Sequence, residues 1–310
     1  FNPAALFANA VERVVESTVF MAGEMDSVLA NFNKATGAGG RFNDVINETR
    51  FNALQAGVGL EESAKSIQSL YENLNDFNSM SSKSQIQLAQ TTAMMEKLGI
   101  STETTAKNLD LSTKALGMNI DESLNAQKSI AAEAIALGIT PGKLADDFNS
   151  SIPKLAAYGK GSVDIFKKLA VQSKATGISI SGLIAITDKF DTFEGASQAA
   201  GKLNAILGGN LLNSVDLLAA SEEKRIEMLR ASVQQSGRSW DSLDKFQRKA
   251  IATAAGISDM SEANRLFGLS AEEFEKNKAA ADSLAMSQKT LTEYAAKGVS
   301  AQEKFKKIME

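Results

Sequence analysis

Two stretches of this chain carry residue types that could do chemistry. Gly195-Ala196-Ser197-Gln198-Ala199-Ala200-Gly201-Lys202-Leu203 sets two glycines ahead of a lysine, as in loops that cradle phosphate. Such a loop needs four residues between its glycines and Ser or Thr after the lysine. Here five intervene and Leu203 follows, in a stretch of small residues that reads as a close-packing helix face. Asp188, Asp191 and Glu194 stand at helical or turn spacing and could offer three carboxylates to a hard cation. They lack the alternating oxygen ligands and the distant Glu of a calcium loop, so they read as a solvated acidic surface. Asp146-Asp147 and Glu272-Glu273-Glu275 read as ordinary solvated helix positions. A third stretch, Thr36-Gly37-Ala38-Gly39-Gly40, is the richest in glycine, but no strand precedes it and no Lys-Ser/Thr follows. It reads as a hinge and not as a phosphate site.

Composition narrows the chemistry further. The 310 residues include no histidine and no cysteine. That removes the disulfide, the thiolate nucleophile, the usual zinc sites and the imidazole general base. No catalytic residue, cofactor site or metal site is expected, and the chain does not read as an enzyme. The 33 basic and 37 acidic side chains are well mixed, for a net charge of -4, so no basic patch for nucleic acid is expected. No apolar run reaches the roughly 18–20 residues of a membrane span. The ten methionines are scattered, which suits core filling better than a binding groove. The first residue is Phe1 and no signal pattern follows, so the sequence reads as an interior piece of a longer polypeptide or a processed form.

What must position these side chains is helix. Hydrophobic residues make up 44%, aromatics 6%, and there are three prolines, Pro3, Pro141 and Pro153. Few β-branched runs and many Ala, Leu, Lys, Glu and Gln predict an all-α chain. One phrase punctuates it: glycine, an aliphatic residue, then Ser, Thr or Asn. It occurs as Gly99-Ile100-Ser101, Gly117-Met118-Asn119, Gly138-Ile139-Thr140, Gly177-Ile178-Ser179, Gly256-Ile257-Ser258 and Gly268-Leu269-Ser270. Gly298-Val299-Ser300 is a further copy and Gly59-Leu60-Glu61 a degenerate one. Glycine can turn left-handed past a helix end, the aliphatic residue packs back, and the third side chain caps the next helix. The joints Gly99, Gly117, Gly138, Gly177, Gly256 and Gly268 thus predict many short helices, arranged as a multi-helix or hairpin array. Spacings of 18 (Gly99 to Gly117), 21 (Gly117 to Gly138) and 39 (Gly138 to Gly177) suit units of one helix and a tight turn, the last being two units.

The first segment differs. Asn2-Pro3 is a helix start, and Phe7, Val11, Val14, Thr18, Met21, Met25, Val28 and Phe32 follow in strict 4-3 alternation. Residues 3–33 therefore predict one amphipathic helix of about 45 Å. Its seam, Phe7, Val11, Val14, Met21, Met25, Val28 and Phe32, either packs on its own domain or joins copies of the chain. The expected organisation is a long heptad helix and glycine-rich hinge over 1–40, a multi-helix region over 41–270, and charged C-terminal helices over 271–310. Trp240, the single tryptophan, is expected in the core.

Several segments in this order resemble tape measure proteins of tailed bacteriophages, especially contractile-tailed ones. They are Phe32-Asn33-Lys34-Ala35-Thr36-Gly37, Gln55-Ala56-Gly57-Val58-Gly59-Leu60-Glu61-Glu62, the Leu-Gly-Ile-Ser joints, Phe190-Asp191-Thr192-Phe193-Glu194-Gly195-Ala196, Leu203-Asn204-Ala205-Ile206-Leu207-Gly208-Gly209-Asn210 and Arg265-Leu266-Phe267-Gly268-Leu269-Ser270. The likeness runs over about residues 28–276. It implies a structural virion protein that occupies the tail lumen or baseplate hub, sets tail length and leaves during DNA ejection. It implies three or six copies, contacts with tail tube and baseplate or tail-tip proteins, and assembly in the host cytoplasm. A ruler needs long unbroken helices, whereas residues 41–270 are broken about every twenty residues, so this region is expected to be a folded part and not the rod. The other readings are a non-viral helical scaffold or adaptor that binds protein partners, and a membrane-inserting helical protein.

Overall fold

The computed structural model describes residues 25–53 and 57–281, and every described element is helical. Most of the expected 3–33 helix, with seam positions Phe7, Val11, Val14 and Met21, lies outside the described residues, as do Gly298-Val299-Ser300 and residues 282–310. The chain forms two compact units that divide within one helix, at Asp110/Leu111.

The first unit holds α1 (described over 25–36), α2 (Asn43–Ala53), α3 (Leu60–Asn73), α4 (Ser82–Lys97) and most of α5 (Thr102–Ala115). α2, α3 and α4 pack on one another around aromatic rings. Phe42 sits at the centre, meeting Phe32 edge-on at 6.1 Å, Tyr71 edge-on at 5.6 Å and Phe77 stacked at 5.7 Å. Edge-on and offset pairs of this kind add to the burial of the rings themselves. Val28 and Phe32 are thus buried in the unit's own core, so this end of the heptad seam is not available to a second copy.

The glycine-rich stretch after α1, expected to be a hinge, carries side-chain hydrogen bonds from Asn33 and Thr36. The Asn33 side chain accepts from Gly40 N at 2.8 Å and donates to Asn43 Oδ1 at 3.2 Å. The Thr36 hydroxyl donates to Phe32 O at 2.8 Å, closing the end of α1. One amide side chain therefore does locally what the glycine content by itself would leave loose.

The second unit contains α6 (Ile120–Ala136), α7 (Pro141–Leu155), α8 (Ser162–Thr176), α9 (Ile180–Asp188), α10 (Phe193–Leu207), α11 (Ser214–Ala219), α12 (Glu222–Gln235), α13 (Lys245–Ala254), α14 (Met260–Gly268) and α15 (described over 271–281). Neighbours in sequence pack on one another: α6 on α7, α7 on α8, α8 on α9. α12 then crosses back onto α8 and α9, while α10 packs on α11 and α13. The core follows the apolar stripes of these helices. Phe148 of α7 meets Phe166 of α8 at 5.0 Å, and Leu183, Ile184, Leu203, Ile226, Leu229 and Ile251 are fully buried beside them. Trp240 is in the core, 5.0 Å from Phe267, with its indole N–H donating to Asn264 Oδ1 at 2.9 Å. No described helix is by itself long and apolar enough to cross a membrane. One bent pair, Pro141–Thr176 with Ile180–Asp188, passes by length and composition, and its apolar residues form the unit's core.

Candidate functional site

The joints are built from short-range hydrogen bonds. Gly138 has φ 62, and this left-handed turn lets Ile139 N reach back to Ala134 O at 2.8 Å, satisfying a carbonyl that α6 cannot. A Cβ at that φ would strain the backbone. The equivalent return bonds are Ile100 N to Met95 O at 3.0 Å and Ile257 N to Ala252 O at 2.8 Å. Gly99, Gly117, Gly177 and Gly256 have φ 84, 67, 73 and 82. Ile100, Met118, Ile178 and Ile257 are buried, so each of these joints also anchors its helix ends to the core.

The third position of the phrase varies in use. Ser101 Oγ accepts from Thr104 N at 3.0 Å, and Ser179 Oγ from Gly182 N at 3.1 Å. Asn119 and Glu122 exchange bonds at 2.8 and 2.9 Å, a capping box. After Gly256 the cap is Asp259, one residue past the phrase, accepting from Ser261 N at 2.7 Å. Thr140 makes no side-chain cap bond, and Pro141 opens α7 instead.

Gly268 departs from the pattern. It is the last residue of α14, outside the positive-φ glycines, and the chain turns on Leu269 at φ -66, ψ 134. The reason lies on another helix. The Arg230 guanidinium, nearly buried, donates to Leu266 O at 3.1 Å, Leu269 O at 2.5 Å and Ser270 O at 2.8 Å. Those carbonyls need no glycine turn. The same guanidinium lies 4.1 Å over the Phe274 ring, holding α15 in place. Burial holds the Arg230 pKa below its ordinary value, against the pull of Glu275 and Glu273.

A second arginine of α12 gathers a larger polar cluster. Arg225 is buried and donates to Leu217 O at 2.9 Å, Thr187 O at 3.1 Å, Leu218 O at 3.2 Å and Asp191 Oδ1 at 2.5 Å. It thereby ties α12 to the ends of α9 and α11 with every bond charge-assisted. One turn before it on α12, Glu222 Oε1 accepts from the Tyr158 hydroxyl at 2.6 Å. Burial, and then this carboxylate, push the Tyr158 phenol up from its ordinary value. On α6, Glu133 is buried with Lys167 Nζ 3.6 Å away; burial raises its pKa, and Lys167 only partly offsets this.

The three carboxylates at 188–194 go to separate tasks. Asp191 pairs with Arg225, Glu194 accepts from Gln198 at 3.1 Å, and Asp188 has its pKa raised by partial burial and then by Asp191. Among the described residues no group of three His, Cys, Asp or Glu is placed to hold a metal ion. Gly195, Gly201 and Lys202 all lie within α10, where their backbone N–H groups are not arranged as a loop. Gly195 serves close packing: a Cβ there would lie 2.2 Å from Lys189 O.

Sequence reasoning missed Arg225 and Arg230. The signal was present, because both interrupt the buried stripe of α12 that also holds Ile226, Leu229 and Val233. A charge on an apolar stripe is buried only with partners, and these partners are main-chain carbonyls that no motif announces. No protein-family model, curated protein or solved structure matches this chain.

Proposed function

We propose that this chain is part of a structural virion protein, a tape measure protein of a tailed, contractile-type bacteriophage. In this reading it occupies the tail lumen or baseplate hub beside tail tube and tail-tip proteins and leaves ahead of the DNA. The observation that carries the reading is serial organisation. Short helices follow one another, many of them through positive-φ glycines, over the same stretch, about 28–276, that carries the resembling segments. Such a chain can open at individual joints, because most of them, though not the one at Gly268, close through bonds between residues close in sequence.

Also proposed is assembly in three or six copies through the heptad seam. With Val28 and Phe32 buried in their own unit, the seam left for copies is Phe7, Val11, Val14, Met21 and Met25. The folded region of residues 41–270 would then be a hub segment, with the measuring rod in another part of a longer polypeptide.

The test is composition and length of assembled particles. Peptides of this chain should appear in purified tails before ejection and be depleted from tails after it. In-frame removal of α6 and α7 from the full protein should damage assembly or ejection without shortening the tail in proportion. Absence from tails overturns the reading. Proportional shortening would show that this region is itself the ruler. In solution, the mass of the chain should be three or six times that of the monomer, and a strict monomer would remove the seam proposal.

A further inference from the structure

α10 and α13 lie side by side, and an open groove of about 390 Å³ runs between them. Ile206 of α10 and Ala250 and Ala254 of α13 line it with apolar surface. Phe246 lines it too and is 81% exposed, on a helix whose other large apolar residue, Ile251, is fully buried. An aromatic ring contiguous with a groove is more than a stray surface apolar residue, because a single partner can cover both at once.

The charged side chains that line the groove have one sign. Lys202 lines it from α10 and Lys249 from α13, with Lys245 one turn before Lys249. None of the three has a carboxylate within ion-pair distance among the described residues, and no carboxylate lines the groove. In the same unit Lys143, Lys160, Lys167, Lys168, Lys224 and Lys278 have such partners while, among the described residues, Lys128, Lys174 and Lys189 do not, so what marks the groove is three unpaired lysines gathered at one place. The nearest acid in sequence, Asp244, is committed as the cap of α13, accepting from Phe246 N at 2.8 Å and Gln247 N at 2.9 Å.

We propose that this groove receives an amphipathic α-helix of a partner protein, one whose apolar stripe is flanked by Asp or Glu. The floor between two helices takes the ridge of a third, as in ordinary helix packing. Surface beside the floor is low: Gly201 and Ala205 of α10 are exposed, and a Cβ at Gly201 would meet nothing within 4 Å. The partner's carboxylates would meet Lys202, Lys245 and Lys249 as its apolar residues cover Phe246 and Ile206. A described helix of a second copy fits poorly, because its apolar stripe is already buried in its own unit. A lipid surface fits poorly as well, because the groove is concave and presents one large apolar side chain, Phe246.

The experiment uses the full chain and two synthetic helical peptides of about 18 residues with one leucine stripe, flanked by Glu in one and by Lys in the other. Fluorescence anisotropy should show the Glu peptide binding at least about tenfold more tightly than the Lys peptide. Phe246→Ser should weaken it by about tenfold. The double change Lys202→Glu, Lys249→Glu should reverse the preference between peptides. All three side chains are exposed, so the variants should keep the parent's helical circular dichroism and melting temperature. As a control, Phe51→Ser, at an exposed ring of the other unit, should leave binding unchanged. Equal affinity for the two peptides overturns the proposal, and so does Glu-peptide binding untouched by the groove variants. So would a Phe246-dependent rise in mass with concentration, which assigns the groove to a second copy. Binding to phosphatidylglycerol vesicles that is lost in the double lysine variant would assign it to lipid and overturn it equally.

Discussion

Arg225 donates to Asp191 at 2.5 Å, and this pair joins α12 to the turn between α9 and α10. The two partners are unequal. Arg225 is 6% exposed in its side chain and Asp191 43%, so the arginine depends on its buried partners and the aspartate does not. Arg225→Met should therefore destabilise the second unit by about 3 kcal/mol, because it strips donors from three carbonyls. Asp191→Asn should cost only about 1 kcal/mol, since the guanidinium keeps its carbonyl partners. Urea unfolding of both variants measures the ratio. Equal losses would place the stabilisation in the ion pair and not in the carbonyl clasp.

Glu133 gives a pH signature. Its pKa is raised in the folded protein by burial, so the folded state holds the proton more tightly than the unfolded chain does. Stability from this group is full below the unfolded value, about 4.3, and is lost as pH rises through the folded value. Glu133→Gln should accordingly stabilise the second unit at pH 7 by about 1 kcal/mol, with the gain shrinking toward zero near pH 4. Thermal melts of both proteins from pH 4 to 8 test this; a gain that grows on acidification would mean that Lys167 outweighs burial.

Two glycines of the same phrase should respond oppositely to alanine. Gly138→Ala forces a Cβ onto φ 62 and should cost about 1 kcal/mol. Gly268→Ala sits at a helix end without positive φ, its Cβ in ordinary contact with Trp240 Cδ1 at 3.6 Å. It should be neutral or stabilise by up to about 0.5 kcal/mol. Chemical denaturation distinguishes them, and a loss at both positions would put a left-handed turn at Gly268 after all.

Arg230 holds the start of α15 through Leu269 O, Ser270 O and the Phe274 ring. Arg230→Ala should therefore raise amide exchange across residues 271–281 by about tenfold or more, beyond any change in α8 or α9. Exchange measured by mass spectrometry reads this directly. Uniform acceleration over the whole unit would show a general loss of stability and no clasp.

Much of the helical framework was legible because it is local. Asn119 with Glu122 states a helix start within four residues, and Gly138 with Ile139 states a helix end within two. The candidate polar sites were hardly legible. Asp188, Asp191 and Glu194 looked alike in sequence, yet one pairs with an arginine 34 residues away and another with a glutamine four residues away. Nothing near Phe246 in the chain distinguishes it from Phe148 or Phe166, which are fully buried.

The sequence by itself determined an all-helical chain without imidazole or thiol chemistry, since propensity, capping and residue type act within a turn or two of the backbone. Tertiary structure alone decided what long-range packing controls. It closed Phe32 into its own unit and placed Arg225 and Arg230 under carbonyls of distant segments. It spared Gly268 a left-handed turn and left Phe246 between two lysines at an open groove. Which apolar face is covered, and which buried charge finds a partner, depends on elements tens of residues apart, and no local spacing encodes that.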